Sequence, residues 1–269
     1  MITLAIAISA GAGAFAAAFF AGDWGALWSS LSAVAAFVAV QGVAGFVLQR
    51  RIKRDMEVVQ GVLTEGQRAL QAKMQRWRIR PPGSPQAAQK EMLEDTKAFV
   101  RAALRETERL SKYRLWVPMV ERQMATAQLQ LNWMVKDFRA VDRLMPKALV
   151  LESTMAAMKM ARMYMTDADT AEIAKVYAKG VRRLRYNQNV LLAATWSWIL
   201  LKRGDADGAF KALTEALKNS DDETLKRNHE ALMNNRLTHF SNSGIGDQWY
   251  SLWLEEPKVR MQRQRPVYR

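Results

Sequence analysis

The first 48 residues contain no Lys or Arg, and the chain then reads Arg50-Arg51-Ile52-Lys53-Arg54. Residues 2–21 are uncharged, a short break Gly22-Asp23-Trp24-Gly25 follows, and residues 26–48 form a second uncharged run. A helix needs roughly 20 apolar residues, at about 1.5 Å each, to cross a bilayer. Both runs reach that length. Asp23 falls in the turn between them, outside hydrocarbon, and Trp24 and Trp28 sit where amphipathic rings favour the headgroup boundary. Lys and Arg concentrate on the cytoplasmic flank of membrane segments. The cluster Arg50, Arg51, Lys53 and Arg54 therefore marks a cytoplasmic exit. The expectation for residues 1–48 is a transmembrane helical hairpin in the cell (inner) membrane, with two spans and both termini cytoplasmic.

Two other readings compete. A secretory signal peptide wants a charged start, which Met1-Ile2-Thr3-Leu4 does not offer. An Ala/Gly-rich hairpin could also be buried inside a soluble domain, but the abrupt basic boundary argues against that. Ser9, Gly13 and Ala17 recur at four-residue spacing, as do Ala35 and Ala39, and small faces allow close helix approach in lipid. Packing of the two helices on each other is the simpler use of these faces. Homo-oligomerisation through them is the alternative. No ionisable group lies inside either run, so nothing there suggests an ion path.

The chain has 269 residues and no Cys, which excludes disulfides and thiolate metal sites. All 40 basic residues and 25 of the 26 acids follow residue 48, leaving that part at about +15. Beside a membrane such charge favours anionic lipid headgroups. It also suits nucleic acid in principle, which ranks last among the partners because the charge is interspersed with Glu and Asp. Lys73 to Arg80 is basic around Trp77, and the tail from Pro257 to Arg269 is basic without an acid. Either could lie against the bilayer or an acidic partner, and for the tail disorder is the equal alternative.

After residue 55 apolar residues recur at helical spacing and strand-like alternation is absent. Residues 49–112 read as a helical stalk broken by the Pro-rich stretch 81–85, with Gly61 and Gly66 weakening its first helix. Residues 113–235 read as shorter paired helices. The clearest pair is Asn189 to Leu201 and Asp205 to Leu217, joined by Lys202-Arg203-Gly204, with Ala209 and Leu213 following the glycine. Residues 236–269 hold the aromatic segment Trp249-Tyr250-Ser251-Leu252-Trp253-Leu254 and the basic tail. Trp249 and Trp253 are expected on one helical face, capping the open end of a helix stack or, as the alternative, docking on the bilayer or a partner.

The pair around Gly204 resembles a tetratricopeptide repeat, which places Gly at the turn and a small residue where two helices cross. Lys136-Asp137-Phe138-Arg139-Ala140 with Leu144 imitates the unit, as does Thr166-Asp167-Ala168-Asp169-Thr170 with Ala171 and Ala174. The turns near 136, 167 and 204 are about 31 and 37 residues apart, against an expected period of about 34. Pro146, inside the first of these second helices, departs from the pattern, and Asp221-Asp222 replaces the family's proline after Leu217. Two spans followed by helical repeats are also similar in architecture to HemY-type membrane proteins. The fold class that follows is all-α: a two-helix transmembrane hairpin, a helical stalk and a short α-solenoid like that of tetratricopeptide repeats.

The resemblance implies a concave groove that binds protein, with Trp198 and Lys202 projecting into it as the partner-binding residues. No catalytic, cofactor-binding or metal-binding set emerges. His229 and His239 stand ten apart, outside metal-ligand spacing. Gly244-Ile245-Gly246 lacks the flanking strand of a nucleotide loop and reads as a flexible turn. Met155, Met158, Met160, Met163 and Met165 read as packing between helices. The functional expectation is a membrane-anchored cytoplasmic scaffold or adaptor, not an enzyme, that binds another protein through helical repeats. Its alternatives are a structural subunit of a larger membrane complex and a basic lipid- or nucleic-acid-binding module.

Overall fold

The longest element, α2 (Ala26–Ile79), is one unbroken helix of 54 residues, about 80 Å long at 1.5 Å per residue. It fuses the second uncharged run with the basic segment after it, so no joint separates residue 48 from residue 49. The change there is one of solvent preference and leaves the backbone helical. The computed structural model describes residues 2–22, 24–80, 83–117 and 119–257. The chain is all-α, with no strand among those residues. It divides into two units, residues 1–149 and residues 150–269.

In the first unit α1 (Ile2–Ala16), prolonged by a π-helical turn over Ala17–Ala21, runs antiparallel to α2. Ala7 and Gly11 are buried in the contact. A Cβ on Gly11 would stand 3.1 Å from the Ala33 carbonyl oxygen and 3.6 Å from Phe37 Cβ. The Ser32 hydroxyl donates to the Ala14 carbonyl at 3.4 Å. The contact therefore uses the face of Ala7, Gly11 and Ala14. The stripes singled out from the sequence do not make it: Ser9, Gly13, Ala17, Ala35 and Ala39 are exposed. A helix of small residues carries several stripes at four-residue spacing. The fit of Phe37 against Gly11 decides which of them is used.

Helix α3 (Pro85–Thr107) starts at Ser84, whose hydroxyl accepts the Ala87 N–H at 3.1 Å. It packs along α2 through Val59, Val100 and Ala103, joined by Leu131 of α4 (Val120–Met134). Gly66 has a positive role in this pairing, because a Cβ there would lie 2.7 Å from Phe99 Cβ. A 3-10 helix over Glu108–Tyr113 brings Leu110 and Tyr113, with Val120, onto Leu48, Ile52 and Met56. Helix α5 (Phe138–Leu144) closes the unit. It ends before Pro146, so that proline follows the helix. The insertion of Leu131 between α2 and α3 places α4 and α5 with the stalk, whereas the sequence groups them with the later helix pairs.

The second unit contains α6 (Ser153–Met165), α7 (Thr170–Val181), α8 (Val190–Lys202), α9 (Ala206–Leu217), α10 (Glu223–Met233) and the short α11 (Asp247–Tyr250). Every residue of α8 from Leu191 to Leu200 is buried, as a helix apolar on all sides requires. Thr195 and Ser197 meet that burial by donating to the carbonyls of Leu191 and Ala193 at 2.7 and 2.8 Å. Met155, Met158 and Met160 of α6 are buried.

Four helix ends share one stop. Lys136, Asp167, Gly204 and Asn235 have φ of 58°, 55°, 84° and 52°. The next N–H reaches back five residues each time: Asp137 to Asn132 at 3.0 Å, Ala168 to Met163 at 2.9 Å, Asp205 to Leu200 at 2.9 Å and Arg236 to Ala231 at 2.7 Å. This is the Schellman geometry, which satisfies carbonyls that the helix leaves over. Asp137, Asp205 and Asp222 then cap the following helices, accepting from Ala140, Gly208 and Thr224. Ala209 is fully buried in α9. After the first turn Ala140 and Val141 are both buried; after the second Ile173 is fully buried, whereas Ala171 is exposed.

Candidate functional site

Two places bring polar and aromatic groups together. The first is a cleft of about 630 Å³ in the first unit. Thr3 and Ile6 of α1 form one side. Val40, Ala44, Val47 and Leu48 of α2 form the floor, and Arg51, Arg54 and Asp55 continue it one to two turns further on. Lys112, Tyr113 and Trp116 close the other side. Hydrogen bonds join the two sides of the cleft. The Ile2 N–H donates to the Leu115 carbonyl at 2.9 Å and the Thr3 hydroxyl to the Trp116 carbonyl at 3.1 Å, tying the start of α1 to the loop after the 3-10 helix.

Asp55 is the organising group of the cleft's polar end. Its Oδ2 accepts from Lys112 Nζ at 2.9 Å and from the Tyr113 hydroxyl at 2.9 Å. The Lys112 hydrogen bond, assisted by that of Tyr113, holds the Asp55 carboxyl below the usual carboxylate range, against the opposing effect of its burial. The same bond raises the Lys112 ammonium above its ordinary value. Lys112 also lies over the Tyr113 ring, 5.0 Å from its centroid. In the sequence Asp55 is only the first of two acids, with Glu57, that follow the basic cluster, and nothing local marks it as an organising group.

The second place is the face of α8 that carries Trp198. The sequence puts Trp198 in an open groove, but only 5% of it is exposed. Trp249 packs edge-on against it at 5.8 Å and Tyr164 at 5.1 Å. The carboxylate of Glu255 accepts both indole N–H groups, from Trp198 at 2.7 Å and from Trp249 at 2.9 Å. A second anchor is a fully buried amide relay. Asn228 donates to Asn242 at 2.7 Å, and Asn242 donates to the Ala194 carbonyl at 3.0 Å. The chain's own segment after α10 therefore occupies this face. Trp198 supports that segment and is not presented to a partner. Lys202 remains exposed, with its ammonium 5.3 Å from the Trp198 ring centroid.

The other aromatic and glycine expectations are refined as well. Trp249 is fully buried, whereas Trp253 is partly exposed at a φ of 58°, so the two do not share a helical face. Helix α11 stops at Tyr250 between them. Gly244-Ile245-Gly246 is a packed turn: Gly244 abuts Thr224, and Gly246 has a φ of 72°. Nothing local in the sequence distinguishes Glu255, Asn228 and Asn242 from surface residues.

Trp24 and Trp28 are exposed at one end of the α1–α2 hairpin, and Arg50, Arg51, Lys53 and Arg54 are exposed beyond its other end. Lys73 is partly accounted for by structure, since it bridges to Glu91 and Asp95 of α3. His229 stacks on Phe210 at 4.5 Å and its Nε2 is 3.0 Å from the Thr214 hydroxyl. Among the described residues no three His, Asp or Glu side chains converge. Asp23 and the basic tail beyond Pro257 lie outside the described residues. Comparison with protein-family models, with curated proteins and with solved structures finds no match.

Proposed function

We propose that the protein is a membrane-anchored adaptor, in which a helical hairpin holds the chain in the bilayer and an all-α body on the cytoplasmic side engages another protein. One observation carries the reading. Two helices are long and apolar enough to cross a membrane, and their large side chains face outward. Phe20 is 81% exposed, Leu27 76% and Val43 67%. In water this would be an apolar surface beyond what a monomer leaves uncovered. In lipid it is the ordinary outer face of a two-helix anchor, whose helix-interior backbone groups bond within the helix. From Trp28 to Leu48 is 20 residues, about 30 Å, the thickness of the hydrocarbon core. The basic exit at Arg50 supports the cytoplasmic orientation.

The adaptor half of the proposal draws on the helix pairs, whose turns at 136, 167 and 204 resemble those of tetratricopeptide repeats. Lys202 is the groove residue still open to a partner. Alkaline carbonate extraction of membranes tests the anchor, and recovery of the chain in the soluble fraction would refute it. A reporter active only in the cytoplasm, fused after Arg269, tests the orientation. Crosslinking and pull-down with Lys202→Glu tests the partner surface, and an unchanged set of captured proteins would remove the groove from the proposal.

A second reading, a subunit of a larger membrane assembly or a homo-oligomer, is favoured by the unused small-residue stripes. Ser9, Gly13, Ala17, Ala35 and Ala39 all face away from the hairpin contact, and Gly13, Gly42 and Gly45 have open space where a Cβ would stand. Such surfaces suit close helix approach in lipid. The chain has no Cys, so Gly13→Cys or Ala39→Cys gives a single thiol. Oxidative crosslinking in membranes yields a dimer band if the stripes face another copy.

A further inference from the structure

We infer that the cleft between α1, α2 and the 3-10 helix is a binding site for one anionic phospholipid. The inference rests on the membrane-anchor reading above. The cleft's two ends differ in chemistry. Ile6, Val40, Ala44 and Val47 make one end wholly apolar, and Arg51 and Arg54 stand at the other. From Val40 to Arg54 the floor extends about 21 Å along α2. That length accommodates a phosphate headgroup together with the upper part of an acyl chain. Its volume of about 630 Å³ lies within the usual range for sites that enclose a small molecule.

The cationic end has an uneven charge balance. Asp55 is committed to Lys112 and Tyr113, so it compensates Lys112. Arg51 and Arg54 make no ion pair among the described residues, although both line the cleft. They are three apart on α2 and project from one face. Two guanidinium groups on one face suit a phosphodiester, which they can grip by paired N–H donors. Tyr113 and Trp116 beside them have the amphipathic character favoured at headgroup depth. A soluble anion would use the arginines and leave the apolar floor bare. A zwitterionic lipid would fill the floor and bring a cation of its own to the arginines. An anionic phospholipid matches both ends.

The test is native mass spectrometry of the full chain in detergent, with phosphatidylglycerol or phosphatidylcholine added. The expected result is a retained phosphatidylglycerol adduct, with phosphatidylcholine bound roughly tenfold more weakly. Arg51→Gln with Arg54→Gln should lower the phosphatidylglycerol adduct by a similar factor. Ala44→Trp, which fills the apolar floor and leaves both arginines, should also remove it. Arg50→Gln with Lys53→Gln changes the charge of the same helix by the same amount outside the cleft and should leave the adduct intact. Circular dichroism establishes that each variant keeps its helical content, and the arginine pair decides the matter if Ala44→Trp does not fold. Equal adducts of the two lipids would overturn the site. Equal losses from the two double variants would reduce it to general attraction by a basic helix and overturn it as well. Displacement of phosphatidylglycerol by inorganic phosphate, with no effect of Ala44→Trp, would reassign the cleft to a soluble anion. Carbonate extraction separates the two layers of the argument. A chain that stays in the membrane but shows no lipid preference refutes this site alone, whereas a chain released by carbonate refutes the anchor.

Discussion

The indole of Trp198 donates its N–H to the carboxylate of Glu255 at 2.7 Å, across 57 residues of chain. That bond, shared with Trp249, turns an aromatic residue with the position of a groove contact into an internal support. Glu255→Gln leaves one oxygen acceptor for two buried indole donors, and an unsatisfied buried donor costs about 1–3 kcal/mol. The expected outcome is faster amide hydrogen exchange over residues 247–255, with a red shift of tryptophan emission. Unchanged exchange there would mean that the segment is held without Glu255.

Gly61 and Gly66 lie on the same helix and should respond oppositely to alanine. Open space surrounds the Gly61 Cβ position, so Gly61→Ala gains helix propensity of about 0.8–1 kcal/mol. At Gly66 the new Cβ would meet Phe99 Cβ at 2.7 Å. Separating α2 from α3 to admit it costs about 1–3 kcal/mol. Thermal unfolding of the two variants, followed by circular dichroism in detergent, should move in opposite directions.

Gly204 holds a φ of 84° with open space around its Cβ position. Gly204→Ala therefore meets no steric neighbour and isolates the cost of the left-handed backbone, about 1 kcal/mol. Local hydrogen exchange at the α8–α9 turn should accelerate accordingly. Asn in place of Gly204 should cost less, because its side chain tolerates that region better.

Tyr177 stacks on Trp196 at 5.6 Å. Burial, reinforced by the negative charge of Glu215, pushes its hydroxyl from 10.0 up to about 12. The folded state thus keeps a proton that the unfolded state has released. The stabilisation is fully present below pH 10.0 and is lost as pH rises toward about 12. Over that window the loss is at most about 3 kcal/mol. Tyr177→Phe should remove this contribution to the alkaline decline in melting temperature. An identical decline in the variant would place the cause elsewhere.

The helix stops show how far local sequence reaches. Lys136, Asp167 and Gly204 are readable as turns because a helix stop depends on a few adjacent residues, and the structure adds Asp137 and Asp205 as caps of the helices that follow. The hairpin faces show where it fails. Ser9, Gly13 and Ala17 form a small-residue face as Ala7, Gly11 and Ala14 do, and only the shape of the opposing helix distinguishes them. The continuity of α2 was hidden for a related reason. The jump in charge at Arg50 resembles a domain boundary, yet charge alters a helix's surroundings more than its backbone.

The cleft was legible in halves. Arg51 and Arg54 stood out as a basic exit, and the apolar residues before them as a span. Lys112 closes the stretch that the sequence reads as a stalk, whereas Tyr113 and Trp116 fall in the stretch that it reads as paired helices. Their place opposite Arg51 depends on Leu110 and Tyr113 packing on Leu48, Ile52 and Met56.

The uncharged opening of the chain, its basic end at Arg50 and its all-helical character were determined by sequence alone, because they rest on composition and short-range periodicity. Tertiary structure decided that Trp198 is buried, which small stripe joins α1 to α2, and that a cleft forms at Arg51 and Arg54. Those features depend on contacts between residues far apart in sequence, such as Trp198 with Glu255 and Asp55 with Tyr113, which local spacing does not encode.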